Sequence, residues 1–267
     1  MKRTVAVDSY SLIFRSFYAA YASAGDDLAV SLGIFRRLIT SIVPRLEPDF
    51  VVAACDPGGP TFRHQLDSQY KAQRKPAPEG LKALIPAALE ALRAADIPVV
   101  SVEGFEADDV LATLAGRLRD GHHLTVVSSD RDLIGLVAEH VDLCLVGSAG
   151  KHRYYDQRNA QELFGVAPHL VADFKAMVGD SSDNISGVAG IGPKTAVSLL
   201  TKYGSLEGIF AHVDELPARV ANKLDEEGIS QARLCQQLAA LRSDAPVQLD
   251  ASQARWSPGK LQRITHG

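Results

Sequence analysis

Across 267 residues the chain carries 46% hydrophobic and 22% charged side chains, enough apolar material for one large domain or two unequal ones. Met1-Lys-Arg-Thr-Val leads straight into a short strand-like run, so nothing reads as a membrane span or a secretory leader, and a cytoplasmic location is the expectation. Cys55, Cys144 and Cys235 are odd in number and without metal spacing, which excludes a disulfide framework and leaves core thiols, while a formal net charge of −4 does not by itself favour a polyanionic partner.

Thr4 to Val7 is a β-branched and apolar run that stops at Asp8, with a helical stretch behind it from Ser11 to Ala20. A second helix is read from Leu32, Phe35, Leu38, Ile39 and Ile42, ending or kinking at Pro44. Phe50 to Cys55 is continuously apolar, as a parallel strand buried on both faces requires, and it ends at Asp56. Segment 57–80 changes character. It holds Arg63, His64, Lys71, Arg74 and Lys75 with Phe62 and Tyr70 interleaved, too few apolar residues for a core element, and is expected to project as a helix or mobile loop. Glu79 to Ala95 reads as a helix and Pro98 to Val102 as a third strand.

That strand runs into Gly104-Phe-Glu-Ala-Asp-Asp109, three carboxylates in four positions. Acids favour the first turn of a helix, yet carboxylates this crowded repel one another, and a bound divalent cation removes that cost. A helix starting near Glu106 puts Glu106 and Asp109 on one face and Asp108 on another. Leu124 to Val127 is the fourth strand, passing through Ser128 and Ser129 into Asp130-Arg-Asp132. Leu133, Leu136 and Val137 are expected to begin a helix, Val141 to Val146 forms a fifth strand, and His152 to Tyr155 a small hairpin. This alternation predicts an α/β fold with a mostly parallel central sheet and helices on both faces, whose ligands bind beyond the carboxyl ends of the strands. Asp8, Asp56, the Glu106 group and Asp130 all lie just past those ends.

From Phe174 the pattern is helical. Gly179-Asp-Ser-Ser-Asp-Asn184 contributes Asp180 and Asp183, spaced to face one place from a single turn. Gly190-Ile-Gly192-Pro193-Lys194 suits either a tight turn between helices or a hairpin that lets backbone amides approach phosphate, with Lys194 adding charge. The tail from Asp244 to Gly267 has little pattern.

Taken in order, Val5-Ala-Val-Asp8, Asp56 with Thr61-Phe-Arg-His64, Tyr70-Lys71 with Arg74, Gly104 to Asp109, Ser129-Asp-Arg-Asp132, Gly179 to Asn184 and Gly187-Val-Ala-Gly-Ile-Gly192 resemble the bacterial 5′ nuclease, or flap endonuclease, family. The resemblance implies an α/β nuclease core over 1–165 that includes a helical arch at 57–80. It also implies a helical DNA-binding region over 166–267 carrying a helix-hairpin-helix-type (helix-three-turn-helix) motif at 187–195. The family's acidic cluster corresponds to Asp8, Asp56, Glu106, Asp108, Asp109, Asp130, Asp132, Asp180 and Asp183, the first five serving mainly one Mg2+ or Mn2+ ion and the last four a second. Removing these nine from the 32 acidic side chains leaves 23 against 28 basic ones, a balance of +5 that suits a basic surface around an acidic hole.

The resemblance further implies Lys71 at the scissile phosphate, Tyr70 stacking on an unpaired base, and Arg63 and Arg74 holding the strand. Arg15 becomes another phosphate contact, Gly190, Gly192 and Lys194 grip duplex, and a K+ ion sits on hairpin carbonyls. His64 is expected in phosphate contact or packing and not as a base, and no histidine stands at motif spacing to activate Ser128 or Ser129. Ser9 and Ser186 depart from the family's usual glycine and proline. The expected partner is DNA with a 5′ flap or 5′ end at a duplex junction, RNA-primed ends included, bound by a monomer, with no membrane and with replication or repair proteins acting in trans. A ribonuclease with a related acidic sheet lacks the arch and hairpin, and a junction-binding protein without catalysis is expected to have lost carboxylates that are all present here.

Overall fold

The computed structural model describes residues 1–266, excepting the side chains of Ala149 and His266. The chain forms two compact units. One comprises 1–59, 75–157 and 242–267, the other 60–74 and 158–241. Residues 60–74, expected with the sheet, and 242–267, expected with the helical region, thus each fall in the other unit.

The first unit holds a six-stranded sheet: β1 (Lys2–Asp8), β2 (Phe50–Ala54), β3 (Val99–Val100), β4 (His122–Ser128), β5 (Val141–Leu145) and β6 (Arg153–Tyr155). Its order is β3-β2-β1-β4-β5-β6, parallel throughout except for the antiparallel pair β5 and β6. The inner strands are apolar runs because both faces are covered. Val5, Ala6 and Val7 of β1 and Val51 to Ala54 of β2 are buried. The third strand is only two residues long. Pro98 has no amide to give and contributes just its carbonyl, which accepts Ala53 N at 2.9 Å.

Around the sheet lie α1 (Ser9–Ala24), α2 (Leu28–Ile42), a short helix α3 (Phe62–Leu66) that belongs to the second unit, then α4 (Glu79–Ala94) and α5 (Ala107–Arg117). Leu12, Ile13, Phe17, Phe35, Ile39, Leu84 and Leu92 meet Val5, Val7 and Val51 in one core. The helix expected from Leu133 is a 3-10 helix over Asp132–Leu136 instead. Gly135 weakens it, and the reciprocal backbone pairing of Ala138 with Val141 turns the chain into β5.

The second unit is helical: α6 (Val171–Val178), α7 (Pro193–Tyr203), α8 (Leu206–Phe210), α9 (Ala218–Ala221) and α10 (Glu226–Ala239), with α6 and α3 both packed on α10. The last helix, α11 (Pro258–His266), packs in the first unit on α2 and α4. The tail before it is anchored as well. Val51 N donates to Ala254 O at 2.7 Å, Trp256 N to Asp49 O at 2.8 Å, and Arg117 Nη1 to Val247 O at 2.5 Å. Among the described residues no helix is long and apolar enough to cross a membrane.

Candidate functional site

The strand order reverses between β1 and β4, which leaves a crevice at the carboxyl edge of the sheet. Asp8 closes β1 and also caps α1, its Oδ1 accepting Ser11 N at 3.1 Å. Its Oδ2 accepts the hydroxyl of Ser128, the last residue of β4, at 2.6 Å, and that hydroxyl in turn accepts Asp130 N at 2.8 Å. Ser11 Oγ stands 3.0 Å from Ser128 Oγ and accepts Ser129 N at 3.0 Å, so these serines tie α1 to β4 and are not a nucleophile array. Asp56, two residues past β2, accepts Ala107 N at 2.6 Å and so joins the first turn of α5.

In that turn the sequence geometry needs correction. Glu106 is the N-cap of α5 and Asp109 reaches back to it, Oδ2 accepting Glu106 N at 3.0 Å while Oδ1 accepts Arg242 N at 2.9 Å. Asp109 is fully buried on these amides, which is the position of a structural cap and not of a cation ligand. Asp108, expected to point elsewhere, is the residue that faces the other acids. Burial first, then the charges of Asp130, Asp8, Glu106 and Asp56, raise its pKa well above the ordinary value of 3.8. Asp8 is raised to about 6, mainly by burial and further by Asp130, against the hydrogen bonds from Ser128 and Ser11 that lower it. Asp132 N donates to Asp130 Oδ1 at 2.8 Å, so Asp130 and Asp132 share a single turn.

Asp108 therefore lies within reach of the charges of Asp130, Asp8, Glu106 and Asp56, carboxylates that follow four neighbouring strands. Among the described residues no group of three or more His, Cys, Asp or Glu is drawn together tightly enough to hold an ion as it stands. The donors are nonetheless all oxygens, and the carboxyls of Asp108 and Asp8, raised chiefly by burial and further by neighbouring acids, fit a hard divalent cation. Arg15, on α1, is half-buried, and burial lowers its pKa.

In the helical unit, Asp180 and Asp183 lie in the turn after α6, each engaged by a cation. Asp180 Oδ2 accepts Lys175 Nζ at 2.5 Å and its Oδ1 accepts Ser182 N at 2.8 Å. Asp183 Oδ1 accepts Arg74 Nη2 at 2.7 Å, with Lys71 Nζ 3.8 Å from Oδ2. Lys71 also stands 4.8 Å from the centre of the Tyr70 ring. Two side chains expected on a nucleic-acid strand are instead structural. Tyr70 is 2% exposed and donates its hydroxyl to Asp183 Oδ2 at 3.1 Å. Arg63 is 2% exposed and donates from Nε to Leu238 O and from Nη2 to Ala240 O, each at 2.8 Å, capping the end of α10. His64 accepts Thr61 N through Nδ1 at 3.1 Å and lies edge-on to Tyr70. The low apolar content of the segment concealed this burial, since the buried groups are polar and find partners.

Gly187 and Gly190 bracket the hairpin at φ +67° and +76°. A Cβ on Gly187 would stand 2.3 Å from Gly179 N, so the hairpin closes against the turn carrying Asp180 only without a side chain there. Gly190, Gly192 and Lys194 are exposed, with Gly192 capping α7 and Pro193 at its first position. Lys223 was not singled out in the sequence. Its Nζ donates to Ala189 O at 2.9 Å, which sets a second cation beside the hairpin, and the 34-residue separation left no local signal.

Residues 3–165 match the model of the 5′-3′ exonuclease N-terminal resolvase-like domain, and residues 166–262 that of the 5′-3′ exonuclease C-terminal SAM fold. A 5′-3′ exonuclease of Aquifex aeolicus is 34% identical over 268 residues, covering 99% of this chain and 90% of that protein. DNA polymerase I of Bacillus caldotenax is 36% identical over 253 residues, covering 93% of this chain, which spans only 29% of the polymerase's length. Among solved structures, a bacteriophage T5 flap endonuclease in a pseudo-enzyme-product complex with DNA and metal ions superposes with a TM-score of 0.70 at 25% identity, covering 90% of this chain and 89% of that one. With matches that run together from residue 3 to 262 and a relative of near-equal length above 30% identity, the chain belongs to the 5′-3′ exonuclease family.

Proposed function

We propose that the chain is a divalent-metal-dependent, structure-selective 5′ nuclease. It hydrolyses DNA phosphodiesters at single-strand to duplex junctions, removing 5′ flaps and trimming 5′ ends, RNA-primed ones included, in replication and repair. The observation that supports this most is the set of mutually repelling carboxylates at the carboxyl ends of β3, β2, β1 and β4. Asp8, Asp56, Glu106, Asp108 and Asp130 would hold Mg2+ or Mn2+, with Asp132 beside them. Asp180 and Asp183 are further ligands that the family resemblance nominates. Bound there, such ions supply activation of the attacking water and neutralisation of the leaving oxygen in an in-line displacement.

The remaining work falls to side chains. Ser128 and Ser11 fix the direction of Asp8. Lys71 presents an ammonium that stabilises charge growing on the phosphoryl oxygens, and Arg74 holds the strand from an exposed position. Exposed Gly190 and Gly192, with Lys194, grip duplex backbone without reading bases, and hairpin carbonyls take K+. In this reading the sheet unit is the nuclease core and the helical unit the DNA-binding region of a cytoplasmic monomer that works with replication or repair proteins in trans. The superposed bacteriophage enzyme, whose complex contains DNA and metal ions, supports the substrate class and the metal requirement.

A time course on a labelled 5′-flap duplex with Mg2+, Mn2+ or chelator tests the proposal. Cleavage should require the metal, Asp130→Ala should abolish it while junction binding persists, and Lys71→Ala should slow turnover more than it weakens binding. Cutting that survives chelator, or is unchanged in Asp130→Ala, refutes the assignment.

A further inference from the structure

Segment 69–74 and the turn 181–184, both in the helical unit, are fastened together at nearly every residue. Lys71 N donates to Asp183 O at 3.0 Å, Asn184 Nδ2 to Gln69 O at 2.7 Å, and Gln73 Nε2 to Ser181 O at 2.9 Å and Ser182 O at 3.1 Å. Arg74 Nε reaches Ser182 O at 3.2 Å, and the Tyr70 hydroxyl and Arg74 Nη2 both donate to the Asp183 carboxylate. The turn beneath is closed on itself, because Asp180 and Ile185 exchange both backbone hydrogen bonds across it, at 2.7 and 2.8 Å. Segment 69–74 is a run of turns with no helix or strand of its own, so its shape depends on this docking.

The joint also holds backbone in an uncommon state. Lys71 stands at φ +55° and Asn184 at φ +59°, two of the four non-glycine residues at positive φ among the described residues. Asparagine visits that region readily, whereas lysine does so only at a cost and stays where its neighbours over-determine it. For Lys71 those neighbours are Asp183 and Tyr70: its amide is on Asp183 O, and its Nζ lies 3.8 Å from Asp183 Oδ2 and 4.8 Å from the centre of the Tyr70 ring. A lysine on a mobile loop gives up rotamer freedom when it meets a phosphate, but one held in this way has given it up on folding. We propose that Gln73 and Asn184 are positioning residues, which fasten segment 69–74 to the turn and so fix the direction in which the Lys71 ammonium meets the reacting phosphate. Neither was nominated for a role in the sequence, and the inference rests on the nuclease reading of Lys71 given above.

Full-length protein carrying Gln73→Met and Asn184→Gly together is compared with wild type. These substitutions remove the side-chain bonds, keep bulk at position 73 and a permitted positive φ at 184, and leave every carboxylate in place. At saturating Mg2+ on a labelled flap duplex, kcat should fall roughly tenfold while KM stays within about twofold of wild type. The same pair of substitutions in a Lys71→Ala background should cost nothing further, since the group they position is gone. A purely structural loss would add in both backgrounds. Hydrogen exchange reads the joint without any cleavage: the Lys71 amide should be protected in wild type and exchange roughly tenfold faster in the double variant. An unchanged kcat, a loss as large in the Lys71→Ala background as in wild type, or equal exchange overturns the positioning role and leaves the nuclease reading intact. Lys71→Ala that cuts like wild type overturns instead the role of Lys71 on which the inference rests.

Discussion

The hydroxyl of Ser128 stands 2.6 Å from Oδ2 of Asp8 and accepts the amide of Asp130 at 2.8 Å, so one serine at the end of β4 orients acids on both sides of the point where strand order reverses. Ser128→Ala removes no carboxylate but frees two of them to turn. Supporting groups of this kind are typically worth about 10–100-fold in metal affinity. The half-saturating Mg2+ concentration for flap cleavage should rise by about that factor, with most of the rate recovered at saturating metal. An unchanged Mg2+ titration would show that the hydroxyl is idle.

The raised carboxylates give a pH signature to the metal-free protein. A carboxyl whose pKa is higher folded than unfolded binds its proton preferentially in the folded state, so its ionisation opposes folding progressively as pH rises through that interval and fully above it. For Asp8, lifted from 3.8 to about 6, the penalty above pH 6 is roughly 3 kcal/mol, and Asp108 acts in the same direction. In chelator, the melting temperature should carry a downward contribution between about pH 4 and pH 6. Asp108→Asn should melt several degrees higher than wild type near pH 7 while losing cleavage. Divalent cation should stabilise wild type more than the variant. Calorimetry with and without Mg2+ measures all three, and a variant less stable than wild type at neutral pH contradicts the account.

Arg63 separates a structural role from an interfacial one. Truncating it strands the carbonyls of Leu238 and Ala240 and deletes a buried side chain, so Arg63→Ala should cost roughly 2–4 kcal/mol in urea unfolding. Flap affinity of the folded fraction should stay near wild type. Full stability with weakened binding would return Arg63 to the nucleic-acid surface.

Asp180 has the opposite pH sense from Asp8. Burial pushes its carboxyl up, but hydrogen bonds from Lys175 and Ser182 and the charge of Lys175 prevail and bring it to about 2. The pair therefore contributes about 2 kcal/mol that is complete above roughly pH 4 and lost as pH falls through about 2. Lys175→Met should move the onset of acid unfolding upward by about one to two pH units, read by circular dichroism. Coincident acid transitions in variant and wild type would rule the pairing out as a source of stability.

Much of the fold was legible because its signals are periodic. Continuous apolar runs mark β1, β2, β4 and β5, and their endings near Asp8, Asp56 and Asp130 point to the carboxyl edge of the sheet. Facing within a turn was not legible. Asp108 and Asp109 are adjacent acids in one first turn, and Asp109 is consumed by the amide of Glu106 in its own turn and by that of Arg242, which returns more than a hundred residues later. The same limit hid Tyr70 and Arg63, whose burial depends on partners at Asp183, Leu238 and Ala240 that no local pattern announces. Among the described residues the buried hydroxyl of Ser9, next to Asp8, has no hydrogen-bond partner where the family resemblance leads one to expect glycine.

The tail that looked patternless is a brace. Thr113 Oγ1 accepts Ala245 N, Lys260 donates to Asp96 O, and Ile264 is buried in the core with α2 and α4. A deletion ending the polypeptide at residue 241 would therefore peel cladding from the sheet and orphan the Arg117 guanidinium. The helical unit draws on 60–74 as well as 158–241, so joining 157 to 242 would strand Arg63 and Tyr70 without their partners, and no simple truncation isolates either unit.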